Sequence, residues 1–79
     1  MQLKKKIQSP QKWLSASIGR NITVALKNGK EYMGELKGFD EHMNLVLEDV
    51  ELLNSGRKLD TVVIRGDTIF YIILEMQHG

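Results

Sequence analysis

Two short clusters hold the side chains that could act on a ligand. Asp40-Glu41-His42-Met43-Asn44 offers carboxylates, an imidazole and an amide, and Arg65-Gly66-Asp67 offers a guanidinium and a further carboxylate. Imidazole and guanidinium each have a flat face on which an unpaired base can stack. An amide and a loop backbone can hydrogen-bond a base edge. Asp40 is placed to hold Arg65 or Asn44. Singly, each feature is weak: Asp-x-x-x-Asn recurs in turns for its own backbone bonds, and a lone His is more often a surface or core residue. Catalysis is not expected. A triad built on His42 and Asp40 needs a serine in a nucleophile-elbow context, and none is present. A phosphate-cradling glycine loop is also missing. Arg65-Gly66-Asp67 also spells a cell-adhesion tripeptide, a coincidence in a chain that begins with no secretory pattern.

The elements that must position these residues can be read along the chain. Ser9 then Pro10 is a helix start, because Ser caps free N–H groups and Pro suits the first helical position. Trp13, Leu14 and Ile18 form a short apolar stripe over Gln11 to Ile18, and Gly19 is a natural stop. A helix of this length is too short to stand alone and must lie on something. The rest reads as β-structure. Ile22, Val24 and Leu26 alternate with Thr23, Ala25 and Lys27; Asn28-Gly29 is a hairpin signal because both residues tolerate positive φ. Tyr32, Gly34 and Leu36 continue the alternation, with Gly34 and Gly38 as points of sharp bending or close approach. The first cluster interrupts the pattern at Asp40 to Asn44. A third strand runs from Leu45 to about Leu53, Asn54 to Arg57 is a turn, Leu59 to Ile64 is a fourth strand and Thr68 to Leu74 a fifth. The second cluster forms the tight reversal between those last two strands. One short helix and five evenly spaced strands bent by glycines suit a mainly β fold: a small, strongly bent antiparallel barrel.

With 79 residues and no cysteine, the chain is one domain without disulfides or thiolate metal sites. His42 and His78 are too far apart to form a local metal motif, and no cofactor is implied. A chain this small buries only roughly 60–65% of its unfolded surface. Yet Val62 to Ile64 and Ile69 to Leu74 are apolar on both faces. One face of a two-faced antiparallel sheet is normally polar, so neighbouring copies are expected to cover these strands, the alternative being that the N-terminal helix covers one face and the barrel interior the other. The net charge of +1 hides an asymmetry. Residues 1–30 hold seven basic and no acidic residues, whereas residues 31–56 hold seven acidic residues against Lys37 alone. Overall charge by itself does not mark a nucleic-acid binder. Met1 to Pro10 carries Lys4, Lys5 and Lys6, but no apolar run of leader length follows, and no stretch approaches the ~20 apolar residues of a membrane span. A cytoplasmic protein with no membrane partner is expected.

The segment Ile22 to Gly29, with Gly34 and Gly38-Phe39-Asp40-Glu41-His42-Met43-Asn44-Leu45-Val46-Leu47, resembles the first motif of the Sm and Sm-like (LSm) family. Val63-Ile64-Arg65-Gly66-Asp67 resembles the second. The similarity covers about residues 9–74, and with its short Asn54 to Arg57 turn the chain is most similar to archaeal Sm-like proteins. The bacterial Hfq branch, whose second motif centres on Lys-His, fits less well. The resemblance implies a helix-capped, five-stranded bent barrel, placed at residues 9–75; the residues before it, 1–8, read as a loose basic arm and 76–79 as a tail. It implies closed rings of six or seven subunits, heptamers favoured, in which the fourth strand of one copy pairs with the fifth of the next. It also implies binding of single-stranded, uridine-rich RNA around a central pore, in RNA processing or ribonucleoprotein assembly with other RNA-processing proteins as partners. Carried over by position, His42 stacks on the base, Asn44 bonds its edge and Arg65 stacks on the opposite side. Gly66 and Asp67 complete the pocket, and Asp40 orients Arg65 and Asn44. The basic arm matches no family motif and is at most an additional phosphate contact. The competing reading is a ring or barrel that acts mainly as a protein-assembly scaffold, with RNA incidental, a role that does not require His42, Asn44, Arg65 and Gly66.

Overall fold

The computed structural model describes residues 10–74. Ser9, the arm at 1–8, Glu75 and the tail at 76–79, with His78, lie outside the described residues. Helix α1 spans Pro10–Ser17 and is followed by strands β1 (Asn21–Leu26), β2 (Glu31–Phe39), β3 (Leu45–Leu52), β4 (Arg57–Ile64) and β5 (Ile69–Leu74). A single turn of 3-10 helix, Gly66–Thr68, joins β4 to β5. The strands form one antiparallel sheet in the order β4-β3-β2-β1-β5. Within one chain β4 and β5 are therefore the two edges. No helix among the described residues is long and apolar enough to cross a membrane.

The core is small: Leu14, Ile22, Val24, Leu36, Leu45, Leu47, Val50 and Ile64 are all nearly fully buried. The helix stripe differs from expectation. Only Leu14 enters the core, with Ser17 buried one turn later, whereas Trp13 and Ile18 remain about half exposed. A two-turn helix lays one narrow line of positions on the sheet, and Leu14 with Ser17, three apart, occupies it. Gly19 ends the helix at φ 86, and its N–H donates to the Leu36 carbonyl, fastening the helix end to β2.

Two bulges between β2 and β3 bend the sheet, and a third lies on β5, where Phe70 is the extra residue between Ala25↔Tyr71 and Leu26↔Ile69. Between the pairs Met33↔Glu51 and Glu35↔Glu48, β3 carries one extra residue, and Asp49 there adopts φ 52. The bulge shifts the alternation, so the inward positions pass from Leu45 and Leu47 to Val50. Lys37 is the extra residue on β2, between Leu36↔Leu47 and Gly38↔Val46. Gly34 faces the first bulge. A Cβ built there would meet Val50 Cγ2 at 2.8 Å and the Glu48 carbonyl oxygen at 3.0 Å, whereas one at Gly38 would meet nothing within 4 Å. Close approach therefore requires glycine at Gly34 and not at Gly38.

The β1–β2 hairpin also departs from expectation. Only Gly29 has positive φ (95). Its N–H donates to the Leu26 carbonyl, while Lys30 N–H donates to Asn28 Oδ1. This is the three-residue loop in which a left-handed glycine follows a tight turn, and Asn28 contributes its side-chain oxygen rather than a positive φ.

Gly34→Ala is expected to destabilise the fold by about 1–3 kcal/mol, as overpacking against backbone does. Gly38→Ala should stay within about 0.5 kcal/mol. Urea midpoints of the two variants check this. Equal shifts would remove the close-approach explanation for Gly34.

Candidate nucleic-acid interface

The pairing of β3 with β4 places the two clusters side by side. Leu45 opens β3 and Ile64 closes β4, and they are direct partners in the ladder. Asn44 and Arg65 are the next residues outward on each strand. They border an open cleft of about 1040 Å³ that is also lined by Asp40, His42, Gly66 and Asp67. All six expected site residues are thus gathered at one place.

Asp40 organises its own loop. Its Oδ1 accepts from the backbone N–H of His42 (2.9 Å) and of Asn44 (3.0 Å), and its Oδ2 accepts from Asn44 Nδ2 (3.0 Å). This network holds the carboxyl below its ordinary pKa. The Asn44 side-chain amide is the largest cause and the Asn44 backbone amide the next; desolvation opposes them, and the His42 backbone amide and the nearby His42 ring contribute less. The loop is tight enough to put Met43 at φ 65.

Asn44 then reaches the second loop. Its Oδ1 accepts from the Gly66 N–H at 2.8 Å. The amide is therefore fixed in one orientation. Reversed, it would set its N–H against the Gly66 N–H and its oxygen against the Asp40 carboxylate. One lone pair and one N–H of the amide remain for a ligand. A side chain at Gly66 is impossible in this geometry, because its Cβ would collide with the His42 carbonyl oxygen and lie 2.9–3.0 Å from the Met43 carbonyl group.

Arg65 departs from expectation. Asp40 spends both of its oxygens on Asn44 and on backbone amides, and the guanidinium is held instead by Asp67, with Nη2 3.0 Å from Oδ2. Both side chains are well exposed, so the pair fixes direction more than it adds stability. Sequence reading also missed the apolar wall of the cleft, which includes Phe39, Met43, Val46 and Val63. The available signal was their position directly beside the polar motifs. Asp40 engages His42 through its backbone amide. The groups present suit recognition of a flat polar ligand.

The model of the LSM domain matches residues 12–74. A snRNP Sm-like protein of Archaeoglobus fulgidus is 47% identical over 62 residues, covering 75% of this chain and 80% of that protein. Among solved structures, the Sm protein of Pyrococcus abyssii in complex with a uridine heptamer is 35% identical with a TM-score of 0.77, over 84% of this chain and 97% of that one. The P. aerophilum SmAP1 heptamer is 34% identical with a TM-score of 0.80, over 91% of this chain and 100% of that one.

Asn44→Ala removes the acceptor of the Gly66 N–H and should speed hydrogen exchange at Gly66 a few-fold, as the loss of roughly 0.5–1.5 kcal/mol implies. The His42 amide, bonded to Asp40, should keep its protection. Because the folded Asp40 pKa is depressed, the contribution of these bonds is fully present above the unfolded value and is lost as pH falls through the lower, folded one. Protection at His42 should therefore be the same at about pH 7 and about pH 5, and should fall only at or below the ordinary carboxylate range. Loss of protection near pH 6 would show that Asp40 does not hold this loop.

Proposed function

The chain belongs to the LSM-domain family, and on that premise we propose that it assembles into a closed ring that binds single-stranded, uridine-rich RNA, one base to a cleft. The observation that carries this reading is the Asn44 amide, locked by Asp40 and Gly66 in a cleft that His42 and Arg65 also line. Uracil presents an N–H donor at N3 and an acceptor at O4, the complement of the lone pair and N–H that Asn44 has free. Cytosine exchanges both roles at those positions, and the locked amide cannot turn to follow. His42 and Arg65 supply the two flat faces, and Asp67 keeps the guanidinium in place. Stacking contributes about 1–3 kcal/mol per base and accepts any base, so selectivity falls to Asn44. The role is binding in RNA processing or ribonucleoprotein assembly, without catalysis.

Ring formation follows from the edges. Val63 on β4 and Phe70 and Ile73 on β5 are more than half exposed in the single chain. Both edges have strand hydrogen-bonding groups to offer, and they are different surfaces. A contact between β4 of one copy and β5 of the next is head-to-tail, and such contacts close into a ring when the rotation between copies allows it. The P. aerophilum relative is described as a heptamer, and seven is the number expected here. Ile72, by contrast, packs on its own chain's core, so a charge there would test folding and assembly together.

Affinities of oligo-uridine and oligo-cytidine, measured at one salt concentration, test the RNA reading. Asn44→Ala should cut the preference for uridine by about 1–3 kcal/mol, while His42→Ala should weaken both oligomers alike. An unchanged uridine-to-cytidine ratio in Asn44→Ala would refute base-edge reading. Failure of the parent to bind either oligomer would favour a protein-assembly scaffold.

Native mass spectrometry tests the ring. The parent should be a single multi-subunit species, and Phe70→Lys a folded species of lower order, since it buries an unpaired ammonium only at the junction between copies. A monomeric parent at micromolar concentration would sink the assembly proposal.

A further inference from the structure

Beyond the base cleft, the same rim of the fold carries a cationic feature that the site motifs do not include. The β1–β2 hairpin exposes Lys27 and Lys30. It is pinned to the turn that carries Arg65: the Lys27 N–H donates to the Thr68 carbonyl at 2.9 Å, and Thr68 N–H in turn donates to the Arg65 carbonyl at 3.1 Å. Leu26, just before Lys27, pairs with Ile69, just after Thr68. The hairpin is closed by three more bonds: Leu26 N–H to the Lys30 carbonyl, Gly29 N–H to the Leu26 carbonyl, and Lys30 N–H to Asn28 Oδ1. Both lysines thus sit on a hydrogen-bonded hairpin whose backbone is tied to the turn that follows Arg65.

The nearby carboxylates are otherwise engaged. Asp67 holds Arg65 at 3.0 Å, and Glu31 accepts from the Tyr71 hydroxyl at 3.3 Å. Among the described residues, the ion pairs within 4.0 Å join Lys37 to Glu35 and Glu48, and Arg65 to Asp67; none includes Lys27 or Lys30. A lysine held near a base site without a carboxylate partner suits the one group that every nucleotide carries.

We propose that the β1–β2 hairpin is a phosphate-contact surface, in which Lys27 and Lys30 engage the backbone of single-stranded RNA next to the base held in the cleft. This rests on the reading of the cleft as a uridine site. The hairpin would add affinity without sequence preference, set by charge and rigidity rather than by hydrogen-bond pattern.

The test is the salt dependence of oligo-uridine binding by the parent ring, the double variant Lys27→Gln/Lys30→Gln, the double variant Lys27→Arg/Lys30→Arg, and Lys58→Gln. Lys58 is an exposed control, lining a separate hollow with Asp60 and Glu51. Each neutralised phosphate contributes a log–log slope of about −0.7 for single strands. The glutamine pair should flatten the slope by about 1.4 for each subunit engaged, with ring mass and the uridine-to-cytidine ratio unchanged. The arginine pair should keep the parent slope, and so should Lys58→Gln. A parent slope in the glutamine pair overturns this inference and leaves the cleft reading intact. Equal flattening by Lys58→Gln overturns it too, because a diffuse field would then suffice. A parent that binds no oligo-uridine overturns the cleft reading itself, and this inference with it.

Discussion

The register in which Leu45 faces Ile64 is the constraint on which the site depends. Both side chains are buried, so the pairing is fixed by the core and cannot slip by one residue without turning Leu45, Leu47 and Ile64 toward water. Given that register, the residues just outside the paired ends of the two strands are neighbours. Asn44 and Arg65 then share a cleft although their loops are well separated in sequence. The Gly66–Asn44 hydrogen bond fastens loops that the ladder has already brought together. The hydrophobic core and the candidate binding chemistry are therefore successive residues on the same two strands.

Much of this was legible in the sequence because each signal had a local cause. The alternation of Ile22 and Val24, the turn residues at Asn28-Gly29 and Asn54 to Gly56, and the stop at Gly19 all act within a few positions. What escaped was set at a distance. Whether Gly34 or Gly38 was the tight position depended on Val50 and Glu48 across the ladder. Trp13 reads as core by spacing, but the sheet offers a two-turn helix only enough surface for Leu14 and Ser17. Asp40 was the expected partner for Arg65, and Asp67 holds it instead. The choice followed from Asp40 having nearer donors in its own loop, a competition that residue types alone cannot rank. The family resemblance named the six site residues, and the folded chain supplies the hydrogen-bond order among them.

The open sheet links size to assembly. Eight nearly buried side chains form a modest core, and the two edge strands leave Val63, Phe70 and Ile73 largely exposed. A larger domain would cover such residues with its own layers. Here they sit on two dissimilar edges, so the surface that a single chain cannot bury also gives copies a direction in which to add. Val63 belongs to the cleft wall as well as to the β4 edge. The candidate base site and the proposed junction between copies therefore share that side chain.

The turn between β3 and β4 sits at the far end of the strands whose other ends carry the site. Leu52 pairs with Arg57 beside the turn, and Leu45 pairs with Ile64 beside the cleft. Eight residues of strand separate the two ends, about 25 Å of extended chain. Asn54 and Gly56 turn the chain with positive φ, and residues 54–56 are exposed. Lengthening this turn costs little closure entropy and moves nothing near Asn44 or Arg65. It is the natural place in this fold to splice in a peptide tag, a fluorophore-bearing cysteine or an entire guest domain, with the cargo carried at the end of β3 and β4 away from the cleft.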